Sequence, residues 1–262
     1  YIPTGADYQE LKPQLAPLLK DLDAFESVAR RKKYLGNIKG GKFPIGKGMN
    51  NNEIVNALRS RNTPVRVSFN NQESAALLAG RISGQLEADS LSLLRAITDT
   101  TFLQAEGWNA DQVLVPYIPN SYEFYWNTSA SQFRDRMMRE YRNFWTEERR
   151  KKAAARGLSP EQVISLASIV HKETAKADER PRVAGVYLNR LRLGMLLQAD
   201  PTVIFAIKKA SGNYDTVIKR VLYRDLELDS PFNTYKYAGI PPGPIAMPDI
   251  SAIEAVLDPE AH

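Results

Sequence analysis

Ser159-Pro160-Glu161-Gln162 sets the start of a helix more firmly than any other stretch constrains this chain. Serine caps the first free N–H groups, proline suits the first helical position, and glutamine reaches back to the cap. The apolar run from Val163 to Val170, followed by His171-Lys172-Glu173-Thr174, is therefore read as helical. With Val163 at 0° and about 100° per residue, Leu166, Ala167, Val170 and Thr174 lie within about 60° of it and form a buried stripe. Lys172 falls at about 180° and faces water, Glu173 at about −80° on the edge of the stripe, and His171 at about 80° on the opposite edge.

A carboxylate on the margin of an apolar face is partly desolvated, which raises its pKa and suits a general acid. Boundary glutamates also snorkel or pair with cations, and Arg180 and Arg182 are close in sequence. Helical geometry alone leaves both roles of Glu173 open. His171, taken by itself, reads as a capping or packing residue.

Composition narrows the chemistry. None of the 262 residues is cysteine and two are histidine, which excludes disulfides, thiolate zinc sites, iron–sulfur clusters and a cysteine nucleophile, and argues against a multi-histidine metal centre. The net charge of +5 points to polyanionic partners: nucleic acid, acidic lipid or an acidic wall polymer. No nucleic-acid motif is present, and the aromatics are not interleaved with the basic run as stacking platforms would be. No stretch reaches the ~18 apolar residues of a spanning helix. The chain opens on Tyr1, so removal of an N-terminal signal or anchor is an expectation.

At roughly 150 residues per domain, one large or two smaller domains are expected. Residues 1–63 read as a small α+β unit. Leu11, Leu15, Leu18 and Leu19 recur at helical spacing, Leu22, Phe25 and Val28 mark a second helix, and Asn52 is read as the cap of a third. Between positions 30 and 47 stand seven basic residues and no acid, in a Gly-rich segment read as strand and turns. This is either a solvated positive face or a contact for an anionic polymer. Thr63-Pro64 marks the boundary to residues 64–262, opened by a strand, Val65-Arg66-Val67-Ser68-Phe69. Helices are expected at 72–86 and 89–98, followed by an aromatic segment containing Tyr122, and by one long charged helix over 130–155.

After the 160s helix, a second is expected from Pro181 through Val183, Val186, Tyr187 and Leu191 to Gly194. Asp200 or Thr202 is read as the cap of the next. The segments 230–235 and 239–245 are rigid aromatic and proline loops, able to wall a groove or merely to connect.

Several separated blocks together resemble a known family. Leu166-Ala167-Ser168-Ile169-Val170-His171-Lys172-Glu173-Thr174, Glu179-Arg180, Val183-Ala184-Gly185-Val186-Tyr187-Leu188-Asn189-Arg190-Leu191, Gly194-Met195 and Leu197-Gln198-Ala199-Asp200-Pro201-Thr202-Val203 are similar to the signature of the MltG (YceG-like) endolytic murein transglycosylases. Asn233-Thr234-Tyr235 and Gly239-Ile240-Pro241-Pro242-Gly243-Pro244-Ile245 match downstream blocks in order and spacing. Two departures stand out. His171 occupies a position where many members carry glutamate, and Ile118-Pro119-Asn120-Ser121-Tyr122 stands where a Phe-Pro-Asp-Thr-Tyr block is usual.

The resemblance implies an α+β fold: a small LysM-like βααβ-type subdomain at 1–63, then a mixed, helix-rich α+β catalytic domain at 64–262 with its C-terminal end truncated. It implies that Glu173 is the catalytic acid/base and that Gln198, Asp200, Asn189, Asn233, Thr234, Tyr235 and Tyr122 contact substrate. Gln198 and Asn233 are the candidates for stabilising charge on the sugar ring. The implied reaction is non-hydrolytic cleavage of the MurNAc–GlcNAc bond, giving a 1,6-anhydro-MurNAc end and terminating nascent strands. Peptidoglycan glycan strands are the implied partner, with peptidoglycan synthases nearby, no metal or organic cofactor, and no nucleic acid. The implied location is the outer face of the cytoplasmic membrane, held by a single N-terminal anchor. Rival readings are a hydrolytic muramidase using Asp200 as a second carboxylate, and a non-catalytic peptidoglycan-binding scaffold.

Overall fold

The computed structural model describes residues 1–260, and expectations about the chain's end at His262 fall outside them. The molecule is mixed α+β and rich in helix, as expected. It divides into two compact units. The first comprises residues 1–68, 82–89 and 121–130; the second comprises 69–81, 90–120 and 131–262.

In the first unit, α1 (Tyr8–Leu15), α2 (Leu22–Arg31) and α3 (Asn51–Ser60) enclose a core of Leu11, Leu15, Phe25, Tyr34, Val55 and Leu58. Asp7 and Asp21 cap α1 and α2. The cap of α3 is Asn50, not Asn52: its side chain accepts from Glu53 N–H at 3.0 Å while Glu53 accepts from Asn50 N–H at 2.9 Å. That reciprocal box starts the helix two residues earlier than the apolar spacing indicated. The Gly-rich segment forms a single antiparallel bridge, Ile2 to Gly41, in place of a longer strand. Gly41 has φ +141°, and a Cβ there would lie 2.5 Å from the Asn62 side chain, so a larger residue would be strained and would displace Asn62. β1 (Pro64–Phe69) pairs with β2 (Asn120–Tyr125), which uses most of the aromatic segment.

The second unit holds α5 (Ser90–Ile97), α6 (Thr100–Ala105) and most of α4 (Ala75–Ser83), followed by α7 (Ala130–Phe144) and α8 (Glu147–Ala155). The long helix expected over 130–155 is two helices. Trp145 is buried at the break, and Thr146 caps α8 by accepting from Arg149 N–H at 3.3 Å, with Glu147 and Glu148 in the first turn.

At the centre runs α9 (Pro160–Glu173), which begins with the capping box read from sequence. The one-sided stripe is corrected: every residue from Val163 to Val170 is buried. It is packed by α8, α10 (Arg180–Arg192), α11 (Asp200–Ser211) and α12 (Ile250–Leu257). A helix wrapped on all sides has no solvent face to reserve for polar residues. Its two buried serines are satisfied locally, Ser165 Oγ donating to Glu161 O at 2.9 Å and Ser168 Oγ to Ser165 O at 2.6 Å. Each fully buried Val, Leu or Ile contributes about 1.5–3 kcal/mol relative to exposure, so α9 is the main anchor of this unit. Among the described residues no helix is long and apolar enough to cross a membrane.

Candidate functional site

Where α9 leaves the core it stops, and Glu173, its last residue, is solvent-exposed. The expected half-buried margin is therefore not found, because the buried part of the helix ends at Val170 and the last turn protrudes. Thr174 turns the chain into extended geometry, and its hydroxyl donates to Glu179 Oε2 at 2.7 Å. Lys176 closes on Glu179 at 2.9 Å. The turn carrying Glu173 is thus tied down on its C-terminal side.

Neither arginine near Glu173 in sequence pairs with it. Buried Arg180 donates to Ser251 and lies 3.5 Å from Asp249, while Arg182 lies 3.4 Å from Glu260. The one hydrogen bond to the Glu173 carboxylate among the described residues comes from the Tyr187 hydroxyl, at 3.2 Å to Oε2. Tyr187 is buried on α10; burial, with the Glu173 charge next, pushes its pKa up and keeps the phenol protonated as a donor. Val186, expected in the same apolar stripe, is exposed instead.

A second tyrosine completes the cluster. The Tyr235 hydroxyl donates to Asp200 Oδ1 at 2.6 Å. Burial, that hydrogen bond and the charges of Asp200 and Glu173 push its pKa up to about 12, so both carboxylates act on one phenol. Asp200 opens α11 but does not cap it; the cap position is Ala199, without a side-chain bond, and Thr202 Oγ1 donates to Ala199 O at 2.7 Å. Arg190 lies one turn beyond Tyr187 and lowers the pKa of both tyrosines electrostatically. Its guanidinium holds Leu197 O at 2.7 Å and Gln198 Oε1 at 3.4 Å. Gln198 is exposed in a left-handed conformation, φ +53°, with its N–H on Thr234 O at 3.1 Å. Strain of that kind in a non-glycine residue persists only where surroundings impose it, and it clusters at functional sites.

Asn233 and Thr234 lie inside. Asn233 donates to Leu226 O and Leu228 O, both at 2.8 Å, and accepts from Tyr235 N–H at 3.0 Å. Thr234 Oγ1 meets Thr202 Oγ1 at 2.8 Å and accepts from Ala199 N–H at 3.0 Å. Both side chains are buried and brace the loop that presents Tyr235 and Gln198. Asn189 lies elsewhere, on a cavity of about 840 Å³ with Gly185, Leu188 and Gly239. Tyr122 is half-buried on β2 in the first unit.

The structure therefore gathers Glu173, Asp200, Tyr235 and Gln198 from the sequence expectation and adds Tyr187 and Arg190, which sequence reasoning missed. Their signal was weak: a hydroxyl and a guanidinium three residues apart on one helix face. On the other side of the last turn of α9, His171 Nδ1 accepts from Asp249 N–H at 3.4 Å and lies 3.3 Å from its carboxylate. Lys172 pairs with Glu73 at 2.6 Å. Among the described residues no group of three or more His, Asp or Glu could hold a metal ion.

A family model described as the YceG-like family matches residues 1–262. The endolytic murein transglycosylase of Bacillus subtilis is 29% identical over 279 residues, spanning 99% of this chain and 75% of that protein. The protein of the same name from Streptococcus pneumoniae serotype 2 is 27% identical over 290 residues, and the aligned part is 98% of this chain but 51% of the pneumococcal one. A solved YceG-like protein of Listeria monocytogenes matches with a TM-score of 0.66 and 26% identity, over 100% of this chain and 90% of that one.

Proposed function

Because this chain belongs to the YceG-like family, we propose that it is an endolytic peptidoglycan lytic transglycosylase with Glu173 as the catalytic acid/base. The observation that carries the reading is the state of Glu173: an exposed carboxylate at the end of a core helix, without a cationic partner among the described residues and oriented by one buried phenol. Relatives bearing the name endolytic murein transglycosylase support the substrate class.

In this reading Glu173 gives its proton to the glycosidic oxygen between MurNAc and GlcNAc as the C1–O bond breaks. The 6-hydroxyl of the same MurNAc then bonds to C1 and returns its proton to Glu173. The product is a 1,6-anhydro-MurNAc end, and no water is consumed. An intramolecular nucleophile replaces water activation through effective molarity, so one carboxyl suffices where hydrolases use two. The Gln198 amide N–H groups and the Tyr235 hydroxyl oxygen, whose proton goes to Asp200, are available to the sugar ring. Asn233 and Thr234 act by holding those groups in place.

Residues 1–63 serve as a LysM-like glycan-binding subdomain and 64–262 as the catalytic domain. The protein works in the cell envelope, anchored to the outer face of the cytoplasmic membrane, where ending nascent strands brings it close to peptidoglycan synthases. One alternative has a specific observation behind it: Asp200 and Glu173 both act on Tyr235, so a hydrolytic muramidase with two carboxylates remains the rival. Mass spectrometry of products from defined glycan strands separates them. Anhydro ends, lost in Glu173→Gln, support the transglycosylase; reducing-end muramic acid supports the hydrolase. Unchanged cleavage in Glu173→Gln overturns both.

A further inference from the structure

A cavity of about 310 Å³ lies within the second unit, with Lys172 and Pro201 in its lining. These residues adjoin Glu173 and Asp200 in the chain. We propose that this cavity binds the acidic peptide stem carried by a muramic acid residue, an assignment that rests on the murein reading above and extends it.

The cavity's polar wall is the pair Lys172 and Lys208, which share the Glu73 carboxylate at 2.6 Å each. Burial acts against the Glu73 anion, but the two lysine hydrogen bonds outweigh it and hold the carboxyl below its ordinary range. Two ammonium groups face the half-buried carboxylate of Glu73, and the other acid of the lining is Asp215. An ammonium has three donors, and each lysine uses one on Glu73. The Lys208 side chain is only 12% exposed, and its ammonium group lines the cavity. A nearly buried cation with open donors favours a carboxylate or carbonyl oxygen beside it. Tyr214 adds a phenol that burial keeps protonated. Asp215, at the rim, is exposed and screened by solvent.

Ile204 and Phe205, on α11 with Lys208, add apolar surface to the lining. The combination suits a short chain of small methyl groups and carbonyls that ends in a carboxylate. A lactyl-alanyl-glutamyl stem has that composition, and it leaves the same sugar ring whose C1 is attacked. Lys172 and Pro201, the chain neighbours of Glu173 and Asp200, line the cavity, so a stem passing around the end of α9 would enter it.

The direct test uses the full chain carrying Glu173→Gln, so that binding is read without cleavage. Calorimetric titration compares N-acetylmuramoyl-L-alanyl-D-glutamate with N-acetylmuramic acid. The peptide-bearing probe should bind about tenfold or more tightly, equivalent to about 1.4 kcal/mol. Adding Ile204→Trp, which fills the cavity and leaves the charged groups intact, should bring the two affinities together. Lys208→Met should do the same and serves as the second variant if thermal melting shows the first to be unfolded. Equal affinities before any cavity change, or a preference that survives both folded variants, overturn the proposal. Failure of the parent reading looks different: wild-type protein would cleave neither stemmed nor amidase-stripped strands, while the binding comparison still gives its own answer.

Discussion

The Tyr187 hydroxyl donates to Glu173 Oε2 across 3.2 Å, from a ring that is itself buried in the α9–α10 contact. An exposed glutamate at a helix end ordinarily samples several rotamers. Here a rigid aromatic, fixed by the core, restricts one carboxylate oxygen and leaves Oε1 for a ligand. The same core that stabilises the fold therefore sets the direction of this carboxylate.

Tyr187→Phe keeps the packed ring and removes only the donor. Hydrogen bonds to charged groups contribute about 1.5–3 kcal/mol when well shielded, and the exposed side of Glu173 calls for the low end. Turnover on glycan strands should fall about tenfold, with Tm unchanged to within about 2 °C. A wild-type turnover number in a folded Tyr187→Phe protein would remove Tyr187 from the mechanism.

His171 makes stability depend on mild acid. Burial lowers its pKa from the ordinary value of 6.5; Asp249 opposes that shift, while Arg180 and Lys172 reinforce it. The unfolded chain therefore binds this proton more readily than the folded one, and stability rises with pH across the window between the two values. Read downward, the contribution is complete above 6.5 and is lost as pH falls through the lower folded value. Thermal melting from pH 7.5 to 5 (values of about this range) should show a decline that is shallower in His171→Gln. Identical slopes would mean that His171 titrates alike in both states.

Local chemistry made the start of α9 legible, because a capping box is complete within four residues and needs no partner from elsewhere. The same local logic explains α3 and α8 once Asn50 and Thr146 are seen as caps. Burial on every side of α9 was not legible, since Ser165 and Ser168 read as polar until their hydroxyls turn back onto the helix. Asp200 looked like a cap because its type and position fit, but Tyr235, far along the chain, takes its carboxylate. Pairings such as Tyr187 with Glu173 depend on how α10 lies against α9, which a single sequence leaves open. The family resemblance singled out Glu173 as an expectation; the packing shows what holds its carboxylate.

Glu73 links α9 to α11 through Lys172 and Lys208, and the two lysines are not equivalent. Removing Lys172, the more exposed partner, leaves Glu73 paired with Lys208. Removing the carboxylate strands two cations, one of them nearly buried. Glu73→Gln should cost about 2 kcal/mol after allowance for partial exposure, a fall in Tm of about 4–8 °C. Lys172→Met should cost less than half as much. Equal losses from the two substitutions would show that the carboxylate's second partner contributes nothing.

Gly243 sits where the proline-rich loop crosses the backbone at Asp111, and a Cβ built there would lie 1.8 Å from Asp111 O and 2.5 Å from its carbonyl carbon. Both neighbours are main chain, so no rotamer change relieves the clash; one of the two segments must move. The loop cannot shift freely, because Ile245 N–H is held by buried Ser168 Oγ at 3.0 Å and Met247 N–H by Gln72 O at 2.9 Å. Overpacking against side chains typically costs about 1–3 kcal/mol, and a backbone neighbour puts Gly243→Ala at the upper end or beyond. Tm should fall by about 6 °C or more. Because the displaced loop is anchored on α9, turnover should fall further than Tm alone explains. Measuring kcat well below the melting transition separates the two effects. A Gly243→Ala protein with wild-type Tm would show that the two backbones can part without cost, contrary to the packing observed.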